Sequence, residues 1–368
     1  MRRTSIALIF CLLFLAYACK DDDNNGGMEV GSDLEHIPYD PQPYAIPEPV
    51  DFPLLITPED NPTTVDGVRL GQFLFYDPIL SATNTMSCSS CHLPNLAFTD
   101  GKAVSTGIDG IAGTRSSMSL LNAAYYNKGL FWDGRSNTLE EQALLPVIDP
   151  IELHDTWPNV ENKFREHSDY PTMFRKAFGI SDKSEITKDL AVKALAQFER
   201  ILISGNSRFD RFLRGEANFT PAERRGYDMF FDISGNVPDA ECSHCHGGPL
   251  LTTNDYFNNG LDGVDNLEDF EDLGYGPVTG DYFDNGRFRA PTLRNIVLTA
   301  PYMHDGRFET LEEVIDHYNS GGHYAQNIDP LIRKLELTEE DKDQLLKFLH
   351  TLTDTSYMNN PDVLNPFQ

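Results

Sequence analysis

Two short clusters hold the residues of this chain best suited to chemistry: Cys88-Ser89-Ser90-Cys91-His92 and Cys242-Ser243-His244-Cys245-His246. Both read C-x-x-C-H. At that spacing two thiols can add to the two vinyl groups of one porphyrin while the next histidine turns under the iron as proximal ligand. Cys88 and Cys91, and Cys242 and Cys245, are therefore expected to attach two haem c groups covalently, with His92 and His246 as axial ligands. Other uses of such pairs fit less well. A zinc ribbon needs no histidine directly after each pair, and the pairs stand 154 residues apart. A disulfide, or a thioredoxin-like dithiol, leaves the twin histidines without a role.

The other two cysteines belong to the N-terminus. Met1-Arg2-Arg3 and the apolar run Ile6 to Leu15 form the charged start and short apolar segment of a secretory signal, too short to span a bilayer. Leu15-Ala16-Tyr17-Ala18-Cys19 resembles a bacterial lipobox. Residues 1–19 are thus expected to be a leader and Cys19 to carry a lipid, anchoring the protein to the outer membrane on its periplasmic or surface face. Lys20 to Gly27 is polar, and five prolines lie between Pro41 and Pro53, so residues 20–52 read as an extended tether. The formal charge of −28, from 57 acids against 29 Lys and Arg, excludes nucleic acid as a main partner and favours a basic protein.

The elements that must position the two clusters repeat. Trp132-Asp133-Gly134-Arg135, followed by Thr138-Leu139-Glu140-Glu141, returns as His304-Asp305-Gly306-Arg307 and Thr310-Leu311-Glu312-Glu313 at an offset of 172. The cysteine pairs return at 154, so an 18-residue insertion is expected in the second half. Asp255 to Asp284, rich in Gly and Asp, reads as that insertion and as a solvated surface loop. Thr138 with Glu141, Thr220-Pro221 with Glu223, and Thr310 with Glu313 have the form of capping boxes. Ala191, Ala194, Leu195, Phe198, Ile201 and Leu202 after Thr187, and Leu345, Phe348, Leu349 and Leu352, form apolar stripes of helical period. No run alternates as a sheet would. The fold is expected to be mainly α, helical throughout: two tandem cytochrome c-like domains, each enclosing one covalently bound haem. The first covers 53–205 and the second 206–368, with the boundary near Gly205 to Gly215 and the C-terminal tail packing back on the first domain.

The two C-x-x-C-H sites, Phe131-Trp132-Asp133-Gly134-Arg135 between them, then Ala290-Pro291-Thr292-Leu293-Arg294-Asn295 and Thr299-Ala300-Pro301-Tyr302-Met303-His304-Asp305-Gly306 resemble the bacterial dihaem cytochrome c peroxidase family, which includes the MauG proteins. The resemblance covers roughly Pro53 to Thr353. It implies that the haem on His92 reacts with hydrogen peroxide and that the haem on His246 relays electrons from a donor, such as a small exported cytochrome c. It further implies that Trp132 bridges the haems and that Gln142 and Glu152 form the distal pair over the first iron. Glu152 is one acid among 57, so its role as the group that moves a proton between the peroxide oxygens rests on the resemblance. Ile108 stands where many members hold a capping histidine, and no histidine occurs between His92 and His154, which implies an open first site as in MauG-type members. A calcium ion is implied at the main-chain oxygens of Thr299 and Pro301, with Ser116 where the family has an asparagine. The sixth ligand of the second haem falls on Tyr318, with Met303 or His317 as alternatives. Leu311, Val314, Ile315 and Tyr318 share one helix face, which points Tyr318 inward.

Three functions compete on these residues. The leading one is a peroxidase that reduces hydrogen peroxide to water; the second is a MauG-like enzyme that oxidises protein side chains; the third is a dihaem cytochrome that only transfers electrons. The open first site beside Gln142 and Glu152 speaks against the third. Two covalent haems per chain are expected in any of them. Intact-mass measurement after acid–acetone extraction should still find both, and loss of either under that treatment would refute the assignment.

Overall fold

The computed structural model describes residues 34–368; the leader, Cys11, Cys19 and the start of the tether lie outside them. In the first half, α1 (Val65–Tyr76) begins at Thr64, whose hydroxyl accepts from the Gly67 amide at 3.0 Å. It is followed by α2 (Leu139–Ile148), α3 (Trp157–Glu166), α4 (Tyr170–Phe178) and α5 (Lys188–Arg200). Thr187 makes no capping bond to α5; the first amide, Lys188 N, donates instead to Glu161 Oε1 at 2.7 Å. The main core runs between α1, α4 and α5 and includes Leu70, Leu74, Phe75, Phe164, Phe174, Phe198 and Leu202.

Helix α5 crosses α1 with backbones in contact. A Cβ on Gly71 would overlap the Ala194 carbonyl and the Phe198 side chain, so only glycine lets the crossing form.

The second half holds α6 (Arg208–Leu213), α7 (Pro221–Phe230), β1 (Tyr256–Phe257), α8 (Gly276–Thr279), β2 (Phe288–Arg289), α9 (Leu311–Ser320) and α10 (Glu339–His350). Helix α10 crosses α7 as α5 crosses α1: a Cβ on Gly226 would overlap the Gln344 carbonyl and the Phe348 side chain. The repeat extends to the turns. The D-G-R segments close at equivalent bridges, Leu130 with Ser136 and Tyr302 with Phe308. Asn122 and Asn295 both take left-handed backbone, and their amides donate to the carbonyls of Leu202 and Leu352 at 2.8 and 3.1 Å.

The structure is mainly helical, but not throughout. Residues 93–137 and 232–310 are largely irregular, held by short 3-10 turns, and among the described residues the only sheet is the two-residue antiparallel pair β1–β2. The stretch 255–284 is not a solvated loop. Tyr256 stacks on Tyr275 at 3.9 Å, Leu267 and Phe270 close a small core with Ala325, and Asp272 accepts from Arg115 at 2.7 and 2.8 Å.

The stretch 205–215 holds α6, tied in by the buried Asp210–Arg294 ion pair at 2.8 Å. From residue 34 the tether is docked: Leu34 is buried in the first core and Phe52 packs edge-on against Tyr125. Segment 356–364 returns to the same core, where Tyr76 Oη donates to the Val363 carbonyl at 2.7 Å and Gln72 Nε2 donates to the Pro361 and Leu364 carbonyls. No described helix is long and apolar enough to cross a membrane.

If the α7–α10 crossing depends on Gly226, Gly226→Ala should lose on the order of 3 kcal/mol of stability by overpacking against backbone. Gly235→Ala, where a Cβ meets open space, should stay within about 0.5 kcal/mol. Thermal midpoints of the two variants check this, and equal midpoints would contradict it.

Candidate functional site

Among the described residues, one cavity forms around each cysteine pair, and each is lined by residues of both halves. The first is lined by Cys88, Cys91, His92, Leu195 and Glu199 together with Gln142 and Glu152. The second is lined by Cys242, Cys245, His246, Met303 and Tyr318 with Leu345 and Leu349. The short 3-10 turns Cys88–Ser90 and Cys242–His244 bring both thiols and the histidine of each motif to one wall.

The two imidazoles are set in the same way. His92 donates its Nδ1–H to the Phe98 carbonyl at 2.8 Å, and His246 to the Pro291 carbonyl at 3.0 Å. That bond fixes the tautomer and leaves Nε2 as a lone pair, the arrangement a metal-ligating histidine needs. Burial keeps both rings neutral: it lowers the pKa of His92 and brings that of His246 down to about 4. None of the four thiols is in a disulfide. Each half therefore offers two thiols and one neutral, oriented imidazole to a mainly apolar cavity, a donor set that fits haem c.

In the first cavity Glu152 is half-buried. Burial, then the nearby charge of Asp149, push its pKa up to about 6 against the opposing charge of Arg135. Gln142 projects from α2 into the same space. Ile108 is not among the lining residues, and His154 sits outside on the surface, paired with Asp109. Trp132 is half-buried and borders both cavities; its Nε1–H donates to the Ser116 carbonyl at 2.9 Å.

In the second cavity Tyr318 comes off the inward face of α9. Its Oη accepts from Asn259 Nδ2 at 3.2 Å, and the same amide lies 3.5 Å from Met303 Sδ. Tyr318 and Met303 are thus neighbours on one wall. Burial pushes the Tyr318 phenol up to about 12. His317 faces away from the cavity: its Nε2 meets the Asn259 carbonyl at 3.0 Å and its ring packs on Phe308. Thr299 and Pro301 line this cavity, while the Ser116 hydroxyl donates to the Met303 carbonyl at 3.0 Å.

Four lining residues were not foreseen. Glu199 is buried in the first cavity; its signal was an acid four residues after Leu195, within the apolar stripe of α5. Asn259 lies in the stretch misread as a solvated loop and carried no signal. Tyr126 and His304 border both cavities, Tyr126 beneath the Arg289 guanidinium at 4.9 Å and His304 stacked on Phe288 at 3.6 Å.

Comparison with known proteins gives concordant matches. Residues 65–218 match the family described as di-haem cytochrome c peroxidase. Over 330 residues the chain is 33% identical to cytochrome-c peroxidase IdrP1 of Pseudomonas sp. (strain SCT), covering 82% of this chain and 84% of that protein. It is also 33% identical to the methylamine utilization protein MauG of Methylorubrum extorquens, covering 80% of each. Among solved structures it resembles a MauG-like protein associated with microbial copper homeostasis, with a TM-score of 0.81 and 37% identity over 88% of this chain and 100% of that one.

Proposed function

Because the chain belongs to the di-haem cytochrome c peroxidase family, we propose that it reduces hydrogen peroxide to water in the cavity of Cys88, Cys91 and His92. Electrons arrive through the cavity of Cys242, Cys245 and His246, by way of Trp132, from a small exported cytochrome c. Residues 53–205 and 206–368 then form the two haem-holding units. The observation that supports this most is that Gln142 and a half-buried, proton-accepting Glu152 line the same cavity as His92. Export, with a lipid on Cys19, completes the reading and puts the enzyme beside its donor. The acidic surface would steer a basic partner.

Haem iron supplies the redox chemistry in this reading, and the chain supplies orientation and proton handling. The Phe98 carbonyl holds the His92 ring so that Nε2 faces the cavity. Gln142 offers an amide that can orient a peroxide. Glu152 takes a proton from one peroxide oxygen and returns it to the other as that oxygen leaves, which a carboxylate with a pKa near neutrality does efficiently. Calcium, the other ion the resemblance implies, has Ser116 as its side-chain candidate, and that hydroxyl already donates to the Met303 carbonyl.

Tyr318 favours a second reading, in which the oxidised partner is a protein side chain. A phenol lining the second cavity offers a hard anionic ligand that favours ferric iron, whereas a thioether favours reduction. It would suit an enzyme that holds oxidising equivalents over one that relays electrons.

Glu152→Gln should keep both haems and their spectra and slow the stopped-flow reaction with peroxide by ~10²-fold or more. Because the active form is the carboxylate, the parent rate should fall as pH drops through about 6, and the variant should lose that limb. A variant as fast as the parent removes Glu152 from the mechanism. Tyr318→Phe should change the ferric spectrum of one haem only, and Met303→Leu should leave both unchanged. The reverse pattern would assign the ligand to Met303 and favour the relay over the protein-oxidising reading.

A further inference from the structure

The first cavity holds an acid that the mechanism leaves unused. Glu199 stands one turn after Leu195 on α5, and both side chains line the cavity. It is buried, and its Oε2 meets no hydrogen-bond partner among the described residues. An ionised carboxylate in that setting is costly unless a charge compensates it.

The charged groups around Glu199 offer little compensation. Arg200, the next residue, gives its guanidinium to Glu140 of α2 and to the Asn61 carbonyl. Glu140 itself repels Glu199. Cys88, on the 88–90 turn, lies close enough for its thiol to feel Glu199, and Glu152 shares the cavity. Burial first, then Glu140, hold the Glu199 carboxyl up at about 8, with Arg200 opposing.

The internal repeat supplies a comparison within the same molecule. At an offset of 150, Ala194, Leu195, Phe198 and Leu202 correspond to Gln344, Leu345, Phe348 and Leu352, and the helix crossings coincide. Leu345 and Leu349 line the second cavity where Leu195 and Glu199 line the first. Leucine therefore satisfies the packing at this position, and the carboxyl is an addition specific to the first half.

Resting on the haem reading above, we propose that Glu199 is a redox-linked proton holder: it binds one proton when the haem of the first cavity gains an electron and releases it when the electron leaves. At a pH where Glu199 is ionised beside ferric iron, a one-electron donor reduces the iron to ferrous, and a proton from solvent forms one O–H bond on the Glu199 carboxylate. The cavity then gains no net charge. An electron added to a poorly screened space raises the proton affinity of a carboxylate beside it.

The test is spectroelectrochemical titration of the holoprotein between about pH 5.5 and 9.5, with Glu199→Gln and with Glu199→Leu, which copies the second half. In the parent, the potential of the first haem should be level where Glu199 is protonated in both states and, above about pH 8, fall with pH towards a tenfold change in equilibrium constant per unit, about 59 mV for a one-electron couple. Both variants should lose that slope, and the second haem should behave alike in all three. Haem carboxylates contribute equally to parent and variants, so the difference isolates Glu199. Identical slopes in the three proteins, or a constant offset with the slope kept, would overturn the proposal. A chain that carries no haem on Cys88 and Cys91 would overturn the haem reading itself, and this inference with it.

Discussion

In each half of the molecule a glycine in one helix meets a backbone carbonyl in another, and much of the site follows from that approach. With Gly71 against the Ala194 carbonyl, α1 and α5 sit close enough for Phe75 to pack on Phe198 at 5.0 Å and on Phe98 at 6.1 Å. The Phe98 carbonyl then receives the His92 Nδ1–H, so the ring that faces the cavity is oriented from behind by the helix pair. The same crossing sets the rotation of α5, which puts Leu195 and Glu199 on the cavity wall. Gly226 and Gln344 repeat the device, and Phe348 packs against Phe230 and Phe209 in the second half. A larger residue at either glycine would separate the helices and disturb packing and ligand geometry together.

Similar frames enclose different interiors. The lining of the first cavity includes Gln142, Glu152 and Glu199; that of the second includes Tyr318, Met303 and Asn259. Between them stand Trp132 and His304, which occupy equivalent places in the two D-G-R segments, and each borders both cavities. The repeat thus brings its two copies of one turn face to face at the junction. One copy presents an indole suited to carrying electrons, the other an imidazole stacked on Phe288. This divergence within one frame is what allows two haem sites of the same attachment chemistry to be proposed for different work.

Much of this could be read from the sequence because it is local. C-x-x-C-H, the threonine caps at 138, 220 and 310, the inward face of α9 and the offset of 172 need only a few residues of chain to show themselves. The inserted stretch 255–284 could not be read correctly, because Tyr256, Leu261, Leu267 and Phe270 follow no helical or strand period; they are buried by a two-residue strand and mostly irregular backbone held through Arg115 and Asp272. Asn259 was hidden for the same reason. Glu152 was legible only by resemblance, since what distinguishes it from most other acids is its place in the cavity of His92. Glu199 stood in plain view on an apolar stripe, but an acid on such a stripe is usually solvated at its edge, and only the packing of α5 shows that it turns inward.

Two carboxyls in one cavity can divide a task only if their surroundings hold them apart. Glu152 has the charge of Arg135 within reach and settles at about 6, so at neutral pH it is mostly ionised and able to accept a proton. Glu199 has burial and the repulsion of Glu140, while Arg200 is already engaged; it settles at about 8 and is mostly protonated. The difference arises from burial: Glu199 is enclosed and faces Glu140, whereas Glu152 is only half-buried, and each acid has one paired arginine opposing the rise. It gives the cavity a proton acceptor and a proton store at the same pH, the separation of roles by environment that acid–base chemistry with like groups requires.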